Sequence, residues 1–492
     1  MLPNRPFSCY HVAVVAATAV VAEGRAPEPE SSGEGSGQVE ARVGRTELDS
    51  RAVGGALYSA MATHSALRFH GNKDLRLETV ARPRPGPRQV LVKVDFCAVC
   101  QTDVEEFLHG PTYIQAVGTT NKITGAGIPM VVGHEVVGVV TDKGAEVTSV
   151  GAGDRCVFCM YACGSCFYCK QGNVPQCDSW VVAGFMCDGG LAEYMVFDEQ
   201  GVVPVAATIG ERPGLALCEP CAVAVRACKR GGLVAGETVA VLGGGAIGLL
   251  VAQVAKAAGC RVIVIDMRQL SLDLATDQGW CDATVNGAEE DTATAVRNLC
   301  EGSSARVPLD GPDVVFDCAA GKGGETAKIA INLARRGGRI VLVSVYGAPT
   351  KELDFNDVVG TEKTIIGTLS MGRADMEEAV RLMAAGQVNA DPMVSDVIAL
   401  SGACPRHQRS GRAALADAGA CLVCRPLADV ISTGYKRMLS PSKDFFRIVV
   451  NPRLPTDPSP AGIEALAGLY EEEGHGSATA AAEASVGTDS AL

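Results

Sequence analysis

Three separated positions in this 492-residue chain carry residue types that could hold a catalytic metal. Cys100 stands in the run CAVCQTD, His134 and Glu135 follow Gly133 between apolar residues, and Glu219 lies in LCEPCAVAV. One soft, one borderline and one or two hard donors suit an open zinc site, which keeps a position free for water or substrate. Such a zinc would polarise a bound oxygen and lower the pKa of its hydroxyl. Asp103 is placed to orient a ligand from behind. Thr102, close to Cys100, could pass the hydroxyl proton outward. A lone histidine in a β-rich region is more often structural, so His134 gains its weight from the other motifs.

A second cluster has a different character. Cys163, Cys166, Cys169 and Cys177 follow the spacing C-x2-C-x2-C-x7-C. Thiolates this dense suit a closed tetrahedral zinc site with no free position, which holds a loop and does no chemistry. An iron–sulfur cluster also accepts four thiolates, and scattered buried thiols are the bland alternative.

The third motif is Gly243-Gly244-Gly245-Ala246-Ile247-Gly248, a G-x-G-x-x-G pattern. Alone it is weak. Here it follows a strand, opens a helix, and is succeeded by a second strand ending at Asp266. Gly243 permits the tight turn, Gly245 the approach of backbone to a pyrophosphate, and Gly248 the packing of helix on strand, with Ala246 and Ile247 opening the helix whose N-terminus faces the phosphates. Asp266 can accept from the adenosine ribose hydroxyls and repels a 2′-phosphate, which favours NAD over NADP; Arg268 nearby weakens that preference. A glycine turn in a nucleotide-free α/β domain is the alternative.

The elements that must position these residues fall into two halves. ALRFHGNKDLRLETV alternates as a strand, VLVKVDFCAVC is a strand running into the first cysteine, and MVVGHEVVGVVTDKGAEV reads as a strand pair broken at Gly133 and Gly138. From residue 236 onward the rhythm changes. ETVAVLGGGAIGLLVAQVAKAAGCRVIVID is strand, turn, helix, strand. Further strands are expected at Val314 to Phe316, Arg339 to Val345 and Thr364 to Ile366, and helices at Thr326 to Arg335 and Met376 to Ala385. Strands alternating with helices predict an α/β fold with a doubly wound parallel sheet. A last strand is expected in FRIVVNP, Phe446 to Pro452. The resulting layout is a β-rich zinc domain over 61–225, a nucleotide domain over 226–372, and a return to the first domain over 373–452. Residues 1–60 and 453–492 read as disordered extensions, and Met61 as a natural start.

Composition agrees with this. Hydrophobic residues make up 47% and charged residues 20%, which is globular. A net charge of −13 argues against a nucleic-acid or anionic-membrane surface. No run is long and apolar enough to predict a spanning helix. Val12 to Ala22 resembles a secretory h-region, but reduced zinc-binding cysteines fit an oxidising compartment badly, so a cytoplasmic location is expected. Glu23, Glu28, Glu30 and Glu34 make a mitochondrial transit peptide a poor reading too.

Taken together, these residues resemble the medium-chain zinc alcohol dehydrogenases over about Met61 to Pro452. GHE, GDRC at Gly153 to Cys156, the four-cysteine run and the glycine turn all fall in the family's order. GPTYIQ ahead of GIPMVVGHE, Glu219 in its EP-x-AVA setting, and EKTIIGTLS before DMEEAVRLMAAGQV look most like butanediol dehydrogenases, with sorbitol and other polyol dehydrogenases close behind. The resemblance implies a GroES-like catalytic domain joined to a Rossmann domain, with the site in the cleft between them. It implies one catalytic zinc on Cys100, His134 and either Glu135 or Glu219, one structural zinc, NAD, a small alcohol or ketone substrate, and a homodimer or homotetramer. A vicinal diol such as 2,3-butanediol (or acetoin or diacetyl in reverse) is the expected substrate, sorbitol or xylitol the second choice and threonine the third. A zinc- and nucleotide-binding protein without turnover is the non-enzymatic alternative. Three features depart from the family: Glu105 stands where a relay histidine is common, Arg226 where the subgroup shows histidine, and residues 401–426 look inserted. That insertion carries Cys404, His407, Cys421 and Cys424, which could form a third zinc site or an unstructured loop.

Overall fold

The structure is a computed structural model that describes residues 62–301, 310–319, 321, 324–346, 353–400 and 447–452. The h-region-like segment, the insertion with its Cys/His set and the C-terminal tail lie outside the described residues.

Alternation drives the first half. β1 (Thr63–Gly71) and β2 (Asp74–Ala81) form an antiparallel hairpin, so the stretch expected as one strand turns back on itself, with Lys73 at φ 57 in the turn. β3 (Gln89–Ala98) is apolar along nearly its whole length because strands flank it on both sides. It leads directly into α1 (Gln101–His109). β4 (Met130–Val131) pairs with β1, and β5 (Glu135–Lys143) pairs with β3. The expected break at Gly133 is real, but Gly138 lies inside β5. A Cβ there would sit 2.5 Å from the Lys93 carbonyl, so this glycine serves close strand contact rather than a turn. β6 (Arg155–Phe158), β9 (Tyr194–Asp198) and β10 (Val202–Pro204) extend the sheet, while β7 (Tyr161–Ala162) and β8 (Trp180–Val181) make a small ribbon beside α2 (Phe167–Lys170).

α3 (Cys218–Gly231) carries the chain to the second half. The boundary expected at 225–226 falls inside this helix. β11 (Thr238–Leu242), α4 (Ala246–Ala257), β12 (Arg261–Asp266), α5 (Gln269–Asp277), β13 (Ala283–Asn286), α6 (Thr292–Glu301), β14 (Val314–Asp317), α7 (Glu325–Leu333), β15 (Arg339–Leu342), α8 (Phe355–Gly360) and β16 (Thr364–Gly367) follow. All six strands are parallel, in the order β13-β12-β11-β14-β15-β16, which is the doubly wound arrangement. β15 stops at Leu342, short of the expected Val345. Successive β11 residues serve opposite faces: Val239 and Val241 pack with α3 and α4, Ala240 and Leu242 with Ile263, Val315 and Ile340. After α9 (Arg373–Ala384), β17 (Val394–Ala399) and β18 (Arg447–Asn451) return to the first sheet, where β18 pairs antiparallel with β3. One apolar core runs from Phe96 and Val137 through Cys221 and Ala222 of α3 to Val239 and Leu249, so both halves share buried contacts. Among the described residues no helix is long and apolar enough to cross a membrane.

Candidate functional site

β3 and β5 are neighbours, and their ends bring Cys100 and His134-Glu135 together. The donor atoms of Cys100, His134 and Glu135 lie within 4.8 Å of one another. Asp103, buried in the first turn of α1, holds two of the three. Its Oδ2 accepts the Cys100 backbone N–H at 2.9 Å, and its Oδ1 lies 3.1 Å from His134 Nδ1. This contact leaves the other ring nitrogen of His134 to act as a ligand. Thr102 places its hydroxyl 3.6 Å from the Cys100 sulfur. The ring of Phe185 packs against His134 with centroids 4.8 Å apart.

Arg447, at the start of β18, is the residue that sequence reasoning missed. Its guanidinium donates to Glu135 Oε1 at 2.5 Å and to the Val99 carbonyl at 3.1 Å, and reaches the Cys100 sulfur at 3.8 Å. FRIVVNP is readable only as a strand, and nothing in its pattern ties an arginine to a carboxylate more than three hundred residues earlier. The second oxygen of Glu135 is buried without a hydrogen-bond partner among the described residues. An orphaned carboxylate oxygen beside a thiol and an imidazole is what a cation would satisfy, and this donor set suits zinc.

Glu219, in the first turn of α3, is not brought inside that group of three. It lies close enough for the charges of His134, Glu135 and Arg447 to act on it. Without a cation, burial raises its carboxyl to about 7, with His134 opposing and Glu135 reinforcing that shift. Burial alone would lower the His134 pKa, but Asp103 and the Cys100 sulfur outweigh it and raise the pKa well above the usual range. Arg447 follows the same logic: desolvation opposes its charge, and Glu135 and Cys100 restore it.

The four cysteines converge around α2. All four sulfurs lie within 4.8 Å of one another, with Cys163 to Cys169 at 3.9 Å and Cys163 to Cys177 at 3.5 Å. Backbone N–H groups point at the sulfurs: Cys166 N to Cys163 at 3.4 Å, Cys169 N to Cys166 at 3.5 Å and Ser179 N to Cys177 at 3.3 Å. The backbone donors of Ser165 and Cys166 lower the Cys163 thiol to about 6. Donors aimed at sulfur favour thiolate, the form that binds metal. Arg226, on α3, ties this lobe to the rest by donating to Asn173 Oδ1 at 2.6 Å while lying 3.4 Å from Asp375.

The glycine turn stands at the carboxyl end of β11. Gly243 has φ 98, a conformation that only glycine adopts freely. A Cβ on Gly245 would meet nothing within 4 Å, which leaves room for a ligand. A Cβ on Gly248 would lie 1.8 Å from the Gly243 carbonyl oxygen, so the helix could not start where it does. Ala246 and Ile247 form the first turn of α4. Asp266 ends β12, where Oδ2 accepts the Gly244 N–H at 2.6 Å and Oδ1 accepts the Arg268 N–H at 2.8 Å. The Arg268 side chain adds a 3.3 Å ion pair. A cleft of about 600 Å³ is lined by Gly243, Gly245, Ala246, Asp266, Arg268, Cys318, Ala319 and Thr326, and also by Gln101 and Arg447. The glycine turn, Asp266 and Arg447, which contacts Glu135 and Cys100, therefore open onto one space. Glu105, by contrast, is solvent-facing on α1, accepting from Gln101 at 3.1 Å and lying 3.9 Å from His109.

Comparison with known proteins gives a consistent picture. Residues 86–207 match the model of the alcohol dehydrogenase GroES-like domain, and residues 246–385 that of the zinc-binding dehydrogenases. An alcohol dehydrogenase of Geobacillus stearothermophilus is 31% identical over 321 residues, covering 64% of this chain and 87% of that one. The (R,R)-butanediol dehydrogenase of Neisseria gonorrhoeae is 27% identical over 392 residues, or 79% of this chain and 99% of that protein. A zinc-binding dehydrogenase of Sinorhizobium meliloti, solved bound to NADP, superposes with a TM-score of 0.64 at 29% identity, covering 80% of this chain and 100% of that one.

Proposed function

The chain belongs to the medium-chain zinc-dependent alcohol dehydrogenases, and on that premise we propose that it oxidises a vicinal diol such as 2,3-butanediol with NAD, or reduces the matching hydroxyketone. The observation that carries this reading is Arg447, which contacts Glu135 and Cys100 and also lines the cofactor cleft, so metal set and glycine turn share one site.

In this reading Cys100, His134 and Glu135 would hold the catalytic zinc, and Glu219 would be a second carboxylate near it. Zinc supplies the Lewis acid that acidifies a hydroxyl, and NAD supplies the hydride acceptor. The remaining work belongs to the chain. Asp103 fixes the Cys100 backbone and the imidazole, so neither ligand need reorganise. Thr102 receives the hydroxyl proton beside Cys100 and passes it toward solvent. Arg447 balances the charge of Glu135 in a buried setting.

Cys163, Cys166, Cys169 and Cys177 would hold a second zinc. A tetrahedron with metal–sulfur bonds of about 2.3 Å has edges of roughly 3.8 Å. The sulfur separations of 3.5 and 3.9 Å match one ion. Asp266 supports NAD over NADP: a carboxylate has about four acceptor sites, so those not used by Gly244 and Arg268 can accept ribose hydroxyls, while its charge opposes a phosphate. The diol assignment is supported by the butanediol dehydrogenase relative. A longer polyol is the second reading, supported by a sorbitol dehydrogenase of Halalkalibacterium halodurans that is 29% identical over 337 residues. A homodimer or homotetramer is supported by β16, which among the described residues is an edge of the parallel sheet, with Phe355, Val359 and Leu369 exposed on neighbouring segments. Absorbance at 340 nm with NAD and butanediol, sorbitol or threonine tests the activity. Turnover confined to threonine would overturn the diol and polyol readings alike.

A further inference from the structure

β14 ends at the carboxyl edge of the parallel sheet, where doubly wound folds bind their ligands. Its last residue, Asp317, is fully buried and takes no part in the metal chemistry described above. Oδ1 accepts the Ala319 N–H at 3.1 Å. Oδ2 accepts the Thr326 hydroxyl at 2.8 Å and the Tyr346 hydroxyl as well. Thr326 Oγ1 in turn accepts the Gly321 N–H at 2.9 Å. These partners are neutral donors from three segments: the residues after β14, the first turn of α7 and the stretch after β15. A carboxylate this deep is tolerated when its oxygens are well bonded. Here the bonds gather three chain segments at one point.

Those segments form one wall of the cofactor cleft. Cys318, Ala319, Thr326 and Ile329 line it. Ala319 also rests on the glycine turn, since a Cβ on Gly243 would lie 2.8 Å from the Ala319 Cβ. Asp266 marks the adenosine side, on β12. β14 lies on the other side of β11, so the wall built on Asp317 belongs to the opposite half of a dinucleotide.

We propose that Asp317 is a positioning residue for the nicotinamide half of the cofactor, acting through Ala319, Thr326 and Tyr346; this rests on the dehydrogenase reading above. The hub sets the place of the wall and reaches the glycine turn only through Ala319, while its hydrogen bonds include neither Asp266 nor the metal ligands. Substituting its charge should therefore weaken the whole dinucleotide and spare its adenosine half.

The test uses full-length, zinc-loaded protein and calorimetric titration with NAD and with AMP, which carries the adenosine half alone. Asp317→Asn is expected to weaken NAD about tenfold, in keeping with loss of charge-assisted bonds, while AMP affinity stays within about twofold. Tyr346→Phe, which removes one donor and keeps the ring, is expected to weaken NAD severalfold with AMP unchanged. Equal loss of NAD and AMP affinity, or unchanged NAD affinity in both variants, overturns the proposal. If Asp317→Asn does not fold, Tyr346→Phe decides on the same two readouts. Wild-type protein that binds neither NAD nor AMP overturns the dehydrogenase reading itself.

Discussion

Arg447→Met should make the stability of this protein depend on its metal. Glu135 is fully buried, one oxygen lies 2.5 Å from the Arg447 guanidinium, and the other has no hydrogen-bond partner among the described residues. Methionine keeps much of the side-chain volume and removes the charge. Taking one partner from a buried ion pair leaves an uncompensated charge, at a cost of about 3–5 kcal/mol. That cost applies to the metal-free protein, where nothing else balances Glu135. With zinc on Cys100, His134 and Glu135, the dication takes over the balancing role. The loaded variant should then lose mainly the bond to the Val99 carbonyl, about 1 kcal/mol. Four urea unfolding curves, wild type and variant with zinc and with chelator, measure this directly. The expected result is a large midpoint shift in the chelated pair and a small one in the loaded pair. Equal shifts in both pairs would refute the reasoning, because Arg447 would then act through packing alone.

Other substitutions separate the remaining parts. Asp103→Asn keeps the shape but offers an amide N–H where an acceptor is needed, either to Cys100 N–H or to His134. Zinc affinity at the catalytic site should fall roughly 10–100-fold in a chelator competition; wild-type affinity would remove Asp103 from its orienting role. Cys169→Ser should lower the thermal midpoint or solubility through loss of the closed zinc, with Cys100, His134 and Glu135 still able to load metal; an unchanged midpoint and metal content would argue against a structural ion there. Asp266→Ala should raise the NADP-to-NAD ratio of kcat/KM, because the charge opposing a 2′-phosphate is gone and Arg268 remains. An unaltered ratio would exclude Asp266 from the ribose site.

Motifs local in sequence are legible from residue order alone. The glycine turn, the cysteine run and the parallel strands can be read because each depends on spacing within a few tens of residues. Gly248 is the clearest case: its pattern predicts tight packing, and the structure shows why no side chain fits. Contacts between distant segments are not legible in this way. Arg447 meets Glu135 only because β18 pairs with β3 and β3 with β5, a register no single motif encodes. Asp317 is hidden for the same reason, since its partners come from three segments. Gly138 misleads because a glycine that permits close strand contact looks, in sequence, like one that breaks a strand. Glu219 can be named as a candidate ligand, yet only the fold shows that Glu135, and not Glu219, falls in one tight group with Cys100 and His134.

In the proposed function, one open zinc site on Cys100 and His134 activates a secondary alcohol for hydride transfer to NAD. Zinc content per subunit, measured together with NADH formation at 340 nm, tests it for wild type and Cys100→Ser side by side. Two zinc ions and turnover of a vicinal diol are expected in the wild type, and one zinc with no turnover in the variant. A two-zinc wild type that forms no NADH from any secondary alcohol, or a variant that keeps its turnover, would contradict it.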